Sequence, residues 1–193
     1  MNFSIYLAGK IPKGAEEHRD FDDWRKTIKQ LVESKRKDFL ESKIICMDPH
    51  TLQGDMIPIE EFFGRDVHMI AVCDAVLIDA REKIGAGTAQ EILIAKYYKK
   101  PVITVIPRES HYWRRIFVHG CEVDYKHPFI FSTSDAVVED FEQAVVWLLR
   151  YFSGELKPRI KGIEIIDHAQ KSYMENHSHK DEVMNGWKKD MEG

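Results

Sequence analysis

Short apolar segments alternate along this chain with longer segments in which apolar and charged residues are mixed. The short segments are rich in valine, isoleucine and leucine and stop at glycine, proline or aspartate, which is typical of buried strands. Strands are therefore predicted over residues 3–8, 43–47, 75–78 and 101–106, with a fifth over residues 129–131.

The longer segments carry apolar residues at helical spacing. They predict helices over residues 16–37, 59–72, 88–98 and 134–151, the last with Ser134 as its N-cap. Strands that alternate with helices predict an α/β fold with a doubly wound parallel sheet, covered by helices on both faces. Ligands bind such sheets outside the carboxyl ends of the strands, which here means the loops after residues 8, 47, 79 and 106.

The chain changes character near Gly154. Its 193 residues, 44% of them hydrophobic, are enough for one domain with a sizeable core. Residues 155–193 are instead rich in lysine, glutamate, aspartate and histidine, with an apolar patch at residues 163–166 and Trp187 near the end. We therefore predict a catalytic domain over residues 1–153 and a charged extension over residues 154–193. That extension can pack on the domain, reach a neighbouring subunit or stay partly disordered.

Charge and cysteine content narrow the function classes. A net charge of −4 predicts no polymeric nucleic acid or acidic membrane as partner. No apolar run reaches the ~18 residues of a membrane span, and the N-terminus does not resemble a signal peptide. Cys46, Cys73 and Cys121 are expected to be small buried hydrophobes in a reducing cytosol, so a cytoplasmic protein is predicted. No histidine or cysteine spacing indicates a metal site.

The stretch I-G-A-G-T-A-Q-E-I-L-I-A, residues 84–95, has two interpretations. Thr88 and Glu91 form the T-x-x-E pattern of a capping box, in which both side chains close the start of the helix. Gly85 and Gly87 also allow unusual backbone angles, and backbone amides at a helix start attract anions. The pattern matches neither of the glycine motifs that bind dinucleotides or nucleoside triphosphates.

Other candidate groups lie at predicted strand ends. Asp79 follows the third strand and faces the ligand side, whereas Asp66 is by default a solvated helix residue paired with Arg65. Tyr6, in the first strand, is by default a core aromatic residue. Two carboxylates and a tyrosine that converge there suit glycosyl chemistry, in which one carboxylate attacks or stabilises the anomeric carbon and another group transfers the proton.

Six short pieces of the chain occur in the order found in one enzyme family. They are I-Y-L-A-G at 5–9, D-W-R at 23–25, M-D-P at 47–49, G-R-D at 64–66, C-D-A-V-L-I-D-A at 73–80 and G-A-G-T-A-Q-E-I at 85–92. In these pieces the chain resembles the nucleoside 2-deoxyribosyltransferases and their nucleotide N-glycosidase relatives. The resemblance covers roughly residues 4–108 and leaves the last forty residues without a counterpart.

The resemblance implies roles for three residues. Glu91 would be the nucleophile on C1′ of the sugar, and Tyr6 would orient it. Asp66, which stands eight residues before Asp74 as in the family, would transfer protons to the base. The family's acid that holds sugar hydroxyls falls here on Gly85, so Asp79 or Glu82 would have to substitute.

The resemblance also implies a flavodoxin-like sheet and a ping-pong reaction without metal or organic cofactor. A 2′-deoxyribonucleoside and a free nucleobase would exchange bases through a deoxyribosyl ester of Glu91, and water in place of the second base would give hydrolysis. Family members share sites between subunits, so a homo-oligomer of at least two chains is expected. The substrate-binding candidates are Gly9, Lys10, Phe62, Phe63, Asp79, Gly85, Gly87 and Thr88, although Phe62 and Phe63 also suit the core.

Two alternatives stay open. One is a hydrolase of nucleoside 5′-monophosphates; those relatives bind phosphate with serines and an arginine, whereas the first loop here reads K-I-P-K-G, with Lys10 and Lys13 as possible phosphate ligands. The other is a non-catalytic nucleotide-sensing module whose charged tail binds a partner. Retention of Tyr6, Asp66 and Glu91 argues against the sensing module. A Glu91 held in its own helix cap, away from any pocket, would argue for it.

Overall fold

The computed structural model describes residues 2–12, 23–51 and 58–192. Its strands are, in chain order, β1 (Phe3–Ala8), β2 (Ile44–Met47), β3 (Ala75–Asp79), β4 (Val102–Val105), β5 (Trp113–Val118), β6 (Cys121–Lys126) and β7 (Ala136–Val138). Its α-helices are α1 (Trp24–Lys35), α2 (Ile59–Val72), α3 (Ala86–Tyr97), α4 (Pro128–Thr133), α5 (Phe141–Phe152), α6 (Ile165–Asn176) and α7 (Glu182–Glu192). Short 3₁₀ turns occupy Arg36–Asp38, Pro49–Thr51 and Ser178–Lys180.

Five parallel strands form the central sheet, in the order β2-β1-β3-β4-β7. Alternate residues of each strand point to opposite faces of the sheet, and each face has its own core. Ile5 and Leu7 of β1 pack with α1 and α5 on one face, whereas Tyr6 and Ala8 pack with α2, α3 and α4 on the other. The predicted doubly wound α/β fold is confirmed.

The region after β4 differs from the prediction. Residues 129–131, predicted as a strand, lie in α4, which has Pro128 in its first turn, where a missing N–H costs nothing. The fifth strand of the sheet is β7, inside the predicted helix 134–151. That helix, α5, begins after Asp140, whose side chain accepts a hydrogen bond from the backbone N–H of Gln143. The hydroxyl of Ser134, the predicted cap, is instead buried 2.7 Å from that of Thr104.

Two further differences concern helix starts and a hairpin. The predicted helix over residues 16–37 corresponds to α1, and its first part, together with Lys13, lies outside the described residues. The antiparallel hairpin of β5 and β6 was not predicted. Its two-residue turn holds His119 and Gly120, both with positive φ (49° and 80°), as the tightest hairpin turns require.

The cysteines occupy three different environments. Cys73 is buried and Cys46 half-buried, and burial raises the pKa of both thiols to about 11, so both are protonated at neutral pH. Cys121 is exposed in β6, so the expectation that it is buried is wrong. All three are free thiols.

The chain forms two compact units, residues 1–162 and 163–193. The first unit holds the sheet, and its boundary lies nine residues beyond the 153/154 division predicted from the sequence. The second unit holds α6 and α7, where the hydroxyl of Tyr173 donates to Asp181 over 2.7 Å. No helix in the described ranges is long and apolar enough to cross a membrane.

A buried ion pair ties the amino-terminal edge of the sheet together. Lys96 of α3 and Asp135, which precedes β7, are both fully buried and hydrogen-bonded to each other. Asp135 also accepts the backbone N–H of Val102, at the start of β4, and that of Lys161 (2.7 and 2.8 Å). Lys161 in turn donates its ammonium group to the carbonyl of Ser134. Residues on both sides of the predicted domain boundary therefore belong to one network.

Replacing Asp135 by alanine should destabilise the fold strongly. The change leaves the Lys96 ammonium buried without its carboxylate, which typically costs about 3–5 kcal/mol. Asp140→Ala, which removes a helix cap, is the matched control and should cost about 1 kcal/mol. Urea unfolding followed by circular dichroism measures both, and equal losses would contradict the proposed role of the ion pair.

Candidate active site

Tyr6 and Glu91 meet where β1 and α3 face each other. The Tyr6 side chain is fully buried, and its hydroxyl donates to Oε1 of Glu91 over 2.6 Å. A hydrogen bond from O–H to a carboxylate is stronger than one between neutral groups and fixes both partners. The first-strand tyrosine and the glycine-rich helix, 85 positions apart in the sequence, are thus brought together.

The start of α3 decides between the two interpretations of Glu91. The helix begins at Ala86, with Gly85 as its N-cap and no side-chain cap bond. Thr88 is the third helical residue, so the capping-box prediction is wrong: an N-cap residue needs an extended backbone, which Gly85 supplies (φ −79°, ψ 171°). The Thr88 hydroxyl interacts with the Glu91 side chain within the helix. Glu91 is therefore held by Tyr6 rather than by its own helix cap.

Asp66 of α2 is the second carboxylate of the group. It acts electrostatically on both Tyr6 and Glu91, so the three predicted catalytic residues share one environment. Arg65 lies 3.3 Å from Oδ1 of Asp66 and also donates to the carbonyl of Pro49. Burial raises the pKa of Asp66, and the positive charge of Arg65 opposes that rise.

Burial also raises the pKa of Glu91. The hydrogen bond from Tyr6 lowers it, the negative charge of Asp66 raises it, and Arg25 lowers it. Burial and the Glu91 charge raise the pKa of Tyr6, which therefore remains a hydrogen-bond donor at neutral pH. Two carboxylates with shifted pKa values in one site are typical of acid–base and nucleophilic chemistry.

Gly9 follows β1 in a position that leaves no room for a side chain. An added Cβ would stand 2.9 Å from the Trp24 ring and 3.2 Å from Cβ of Asp79. Any larger residue would push apart α1 and the end of β3. This packing explains the glycine, and its predicted contact with substrate stays a prediction.

The other charged candidates are paired in the structure. Arg81 binds Asp79 through both carboxylate oxygens, at 2.9 and 3.1 Å, and its guanidinium lies 4.2 Å from the centre of the Phe141 ring. Lys10 lies 3.9 Å from Glu82 in an exposed ion pair. Substrate would have to compete with these partners to bind Asp79 or Lys10.

The glycines and aromatic residues predicted to bind substrate are placed differently from one another. Gly85 and Gly87 are exposed, and an added Cβ would meet nothing within 4 Å. Neither has positive φ, so neither uses the unusual backbone angles that glycine allows. Phe62 and Phe63 lie on α2 with 37% and 58% exposure, so neither belongs to the core. Their contact with a base stays a prediction.

Sequence reasoning missed two buried charged residues near this site, Arg25 of α1 and Asp48 after β2. Arg25 is fully buried and Asp48 is 8% exposed, and they form an ion pair of 3.3 Å. The available signal was position: both belong to the D-W-R and M-D-P pieces, and Arg25 neighbours Trp24 on the helix that covers β1.

A separate cavity lies beside α3. It has a volume of about 300 Å³ and an almost wholly apolar lining, to which Ala89, Ile92 and Leu93 contribute from the helix. Glu91 does not line this cavity. Among the described residues, no group of three or more histidine, cysteine or acidic side chains is arranged to hold a metal ion.

The structure is similar to enzymes of the two kinds that the sequence resembles. One is a 2-desoxiribosyltransferase from Leishmania mexicana, with 18% identity, TM-score 0.49, and coverage of 77% of this chain and 98% of that one. Another is the CMP N-glycosidase BcmB from Clostridium botulinum, with 14% identity, TM-score 0.44 and the same coverage. No family model and no curated protein sequence matches the chain.

Replacing Glu91 by glutamine should stabilise the protein at neutral pH. The raised pKa means that ionising this carboxyl costs more in the folded chain than in the unfolded one. That cost is present above the folded pKa, shrinks as pH falls, and is absent below the ordinary glutamate pKa of about 4.3. Glu91→Gln should therefore raise Tm at pH 8, by less as the pH falls, and leave it unchanged near pH 3.5.

Differential scanning calorimetry across pH makes the measurement. Glu60→Gln, an exposed carboxylate on α2, is the control and should shift Tm little at any pH. A lower Tm for Glu91→Gln at pH 8 would show that the fold stabilises Glu91 as an anion, which a raised pKa does not allow.

Proposed function

We propose that this protein cleaves the N-glycosidic bond of 2′-deoxyribonucleosides and transfers the sugar to another base or to water. The observation that carries the proposal is the part-buried hydrogen bond between Tyr6 and Glu91, with Asp66 in the same electrostatic environment. The order of the six sequence pieces supports the same enzyme class. A protein that only binds nucleotides has no need of a half-buried carboxylate oriented by a buried tyrosine.

Glu91 acts as the nucleophile in the first half-reaction. One carboxylate oxygen bonds to C1′ of the sugar while the C1′–N bond breaks and its electron pair leaves with the base. Protonated Asp66 donates its proton to the departing base, which leaves as a neutral molecule. The hydroxyl of Tyr6 holds Oε1 of Glu91 and so fixes the direction in which the carboxylate faces.

The second half-reaction reverses these roles. Asp66, now ionised, accepts a proton from an incoming base or water, whose nitrogen or oxygen bonds to C1′. The ester bond to Glu91 breaks, and its electron pair returns to the carboxylate. A sugar without the 2′-hydroxyl suits this path, because that electron-withdrawing group disfavours an oxocarbenium-like transition state.

Hydrolysis of nucleoside 5′-monophosphates is the second candidate function. A specific observation bears on it: Lys10 stands at the loop after β1 and is exposed, although Glu82 lies 3.9 Å away. A phosphate could replace Glu82 as its partner. The start of α3, where Gly85 and Gly87 are exposed and no side chain caps the helix, offers a second anion-binding group.

Alanine in place of Glu91 should abolish base exchange. Without the carboxylate no glycosyl ester forms, and the rate should fall by roughly 10³-fold or more. The assay is chromatography of protein incubated with a deoxynucleoside and a different free base, with parallel reactions on deoxynucleoside monophosphates. Gln90→Ala, an exposed change on the same helix, is the control. Wild-type rates in Glu91→Ala would remove Glu91 as nucleophile.

The Asp66→Asn substitution should change the pH profile as well as the rate. Activity needs Glu91 ionised and Asp66 protonated, so kcat/KM should fall at low pH as Glu91 gains a proton and at high pH as Asp66 loses one. Asparagine should lower kcat by about 10²–10⁴-fold and remove the fall at high pH. Glu61→Gln on the same helix should leave both limbs in place, and an unchanged basic limb in Asp66→Asn would refute the proton-transfer role.

We further propose that the second unit mediates assembly into a homo-oligomer. Within α7, Val183, Trp187 and Met191 recur every fourth residue and are 80%, 54% and 70% exposed, and an apolar stripe of this kind marks a protein contact. Deleting residues 163–193 should lower the sedimentation coefficient by more than the lost mass explains and reduce activity at least tenfold. The single substitution Trp187→Ala should weaken assembly in the same direction as the deletion, but by less. A truncated chain with unchanged assembly and activity would exclude this role.

A further inference from the structure

The guanidinium of Arg25 occupies the space at the end of β1. It is fully buried, and its N–H groups donate to three backbone carbonyls: those of Leu7 at 3.4 Å, Gly9 at 3.1 Å and Lys10 at 3.1 Å. These carbonyls belong to the segment that directly follows Tyr6. One side chain thus sets the path by which the chain leaves the strand that carries the hydroxyl bonded to Glu91.

This geometry requires arginine rather than another cation. A planar guanidinium presents its donors in a fixed fork, whereas a lysine ammonium is a compact group with three donors at one point. The Trp24 ring lies 4.5 Å from the guanidinium carbon and covers one of its faces. The plane of the side chain is therefore held by the ring while its edge binds the carbonyls.

The two aspartates that interact with Arg25 are each shared with a second cation, so the positive charge of Arg25 still acts on its surroundings. Its buried partner, Asp48, is shared with Lys29, whose ammonium lies 2.8 Å from the other carboxylate oxygen. Asp23, which also acts on Arg25, lies 3.4 Å from Lys26. Since each aspartate has a second cation, neither neutralises Arg25 alone.

The positive charge of Arg25 acts on Glu91 and lowers the pKa of its carboxyl group. Among the described residues, the four that act on it most strongly are Tyr6 from β1, Asp66 from α2, Arg25 from α1 and Thr88 from its own helix. Arg25 is the one cation among these four. Burial and Asp66 raise the pKa of Glu91, and Arg25 acts against both.

We propose that Arg25 is a positioning residue of the Tyr6–Glu91 pair, which it serves in two ways. Its fork of donors fixes the turn after Tyr6, and its buried charge stabilises the ionised Glu91 carboxylate. The consequence for turnover rests on the proposed glycosyl transfer, since only an ionised Glu91 can attack C1′. The effect on Glu91 itself needs no reaction and is measured without substrate.

The experiment separates the charge of Arg25 from its shape. The double variant Arg25→Gln/Asp48→Asn removes both charges of the buried pair, leaves no carboxylate without its partner and keeps an amide donor at position 25. Asp48→Asn alone is the matched control, because it removes the partner's charge while Arg25 keeps its own. Arg25→Lys keeps the charge and loses the fork. Circular dichroism and thermal unfolding establish that each variant is folded.

The primary readout is the titration of Glu91 in the full-length protein. Carboxyl ¹³C shifts of glutamate-labelled protein are followed by NMR across pH, with the Glu91 signal identified by its loss in Glu91→Gln. The midpoint should rise by about one pH unit in the double variant, a tenfold change in proton affinity. It should stay within a few tenths of the wild-type value in Asp48→Asn and Arg25→Lys. A folded double variant with the wild-type midpoint overturns the role of the charge.

The second readout tests the role of the shape. In Arg25→Lys, kcat should fall about tenfold or more with little change in KM and with the pH limits unchanged, because the charge stays and the path after Tyr6 shifts. This arm also decides the matter if the double variant does not fold, and wild-type kcat in Arg25→Lys overturns the positioning role. A wild-type protein without any glycosidic activity would refute the proposed function, yet the NMR titration would still report on Arg25.

Discussion

The hydrogen bond from Tyr6 to Glu91 is the interaction on which the candidate site depends. It holds a half-buried carboxylate whose burial makes ionisation costly, and it is itself a contact that favours the ionised form. Water would stabilise the ionised carboxylate more strongly. A hydrated carboxylate would nevertheless be a poorer nucleophile, because its lone pairs would accept hydrogen bonds from solvent. The site therefore combines a cost in folding free energy with an arrangement suited to chemistry, which is a common feature of active sites.

The alternation of residues along β1 makes this contact possible. Tyr6 shares its face of the sheet with Ala8, whereas Ile5 and Leu7 face the opposite core. Shifting the register by one residue would move the tyrosine to the side of α1 and α5 and break the contact with α3. Parallel pairing of β1 with both β2 and β3, from Ile5 paired with Cys46 and Ala75, holds the register from two sides. The sheet thus does more than bury apolar surface, because it fixes which face receives the hydroxyl.

The hydrophobic pattern predicted the elements that are long or are flanked by strong stop signals. It failed where tertiary contacts or the actual start of a helix overrode the local sequence preference. Helix α2 was predicted with its observed limits, since its periodicity is continuous between Pro58 and the start of β3. The strand β7 has three residues and no pattern of its own, and Asp135 and its buried partners place it in the sheet. The capping box failed for a related reason: Thr88 and Glu91 have the right spacing, but the helix starts at Ala86.

Among the residues of the candidate site, some could also be identified from the sequence and others were found only in the structure. Tyr6, Asp66 and Glu91 could be selected because the resemblance aligned them, and the structure brings them together. Arg25 was not selected, although it belongs to the D-W-R piece, because nothing in a helical sequence shows that one arginine turns inward to bind carbonyls of another element. Burial of a charge is a property of tertiary structure. It can be identified only when the positions of the desolvated group and of the partners that compensate its desolvation are known.

Under the proposed function, the pairing of Asp79 with Arg81 would limit how the site binds a sugar. In the family that the sequence resembles, an acid in the loop before the nucleophile holds sugar hydroxyls, and here that position is Gly85, which has no side chain. Asp79 lies at the carboxyl end of β3 but already accepts two hydrogen bonds from Arg81, whose guanidinium also stacks on Phe141. A sugar hydroxyl can bind Asp79 only as an additional donor or after Arg81 moves.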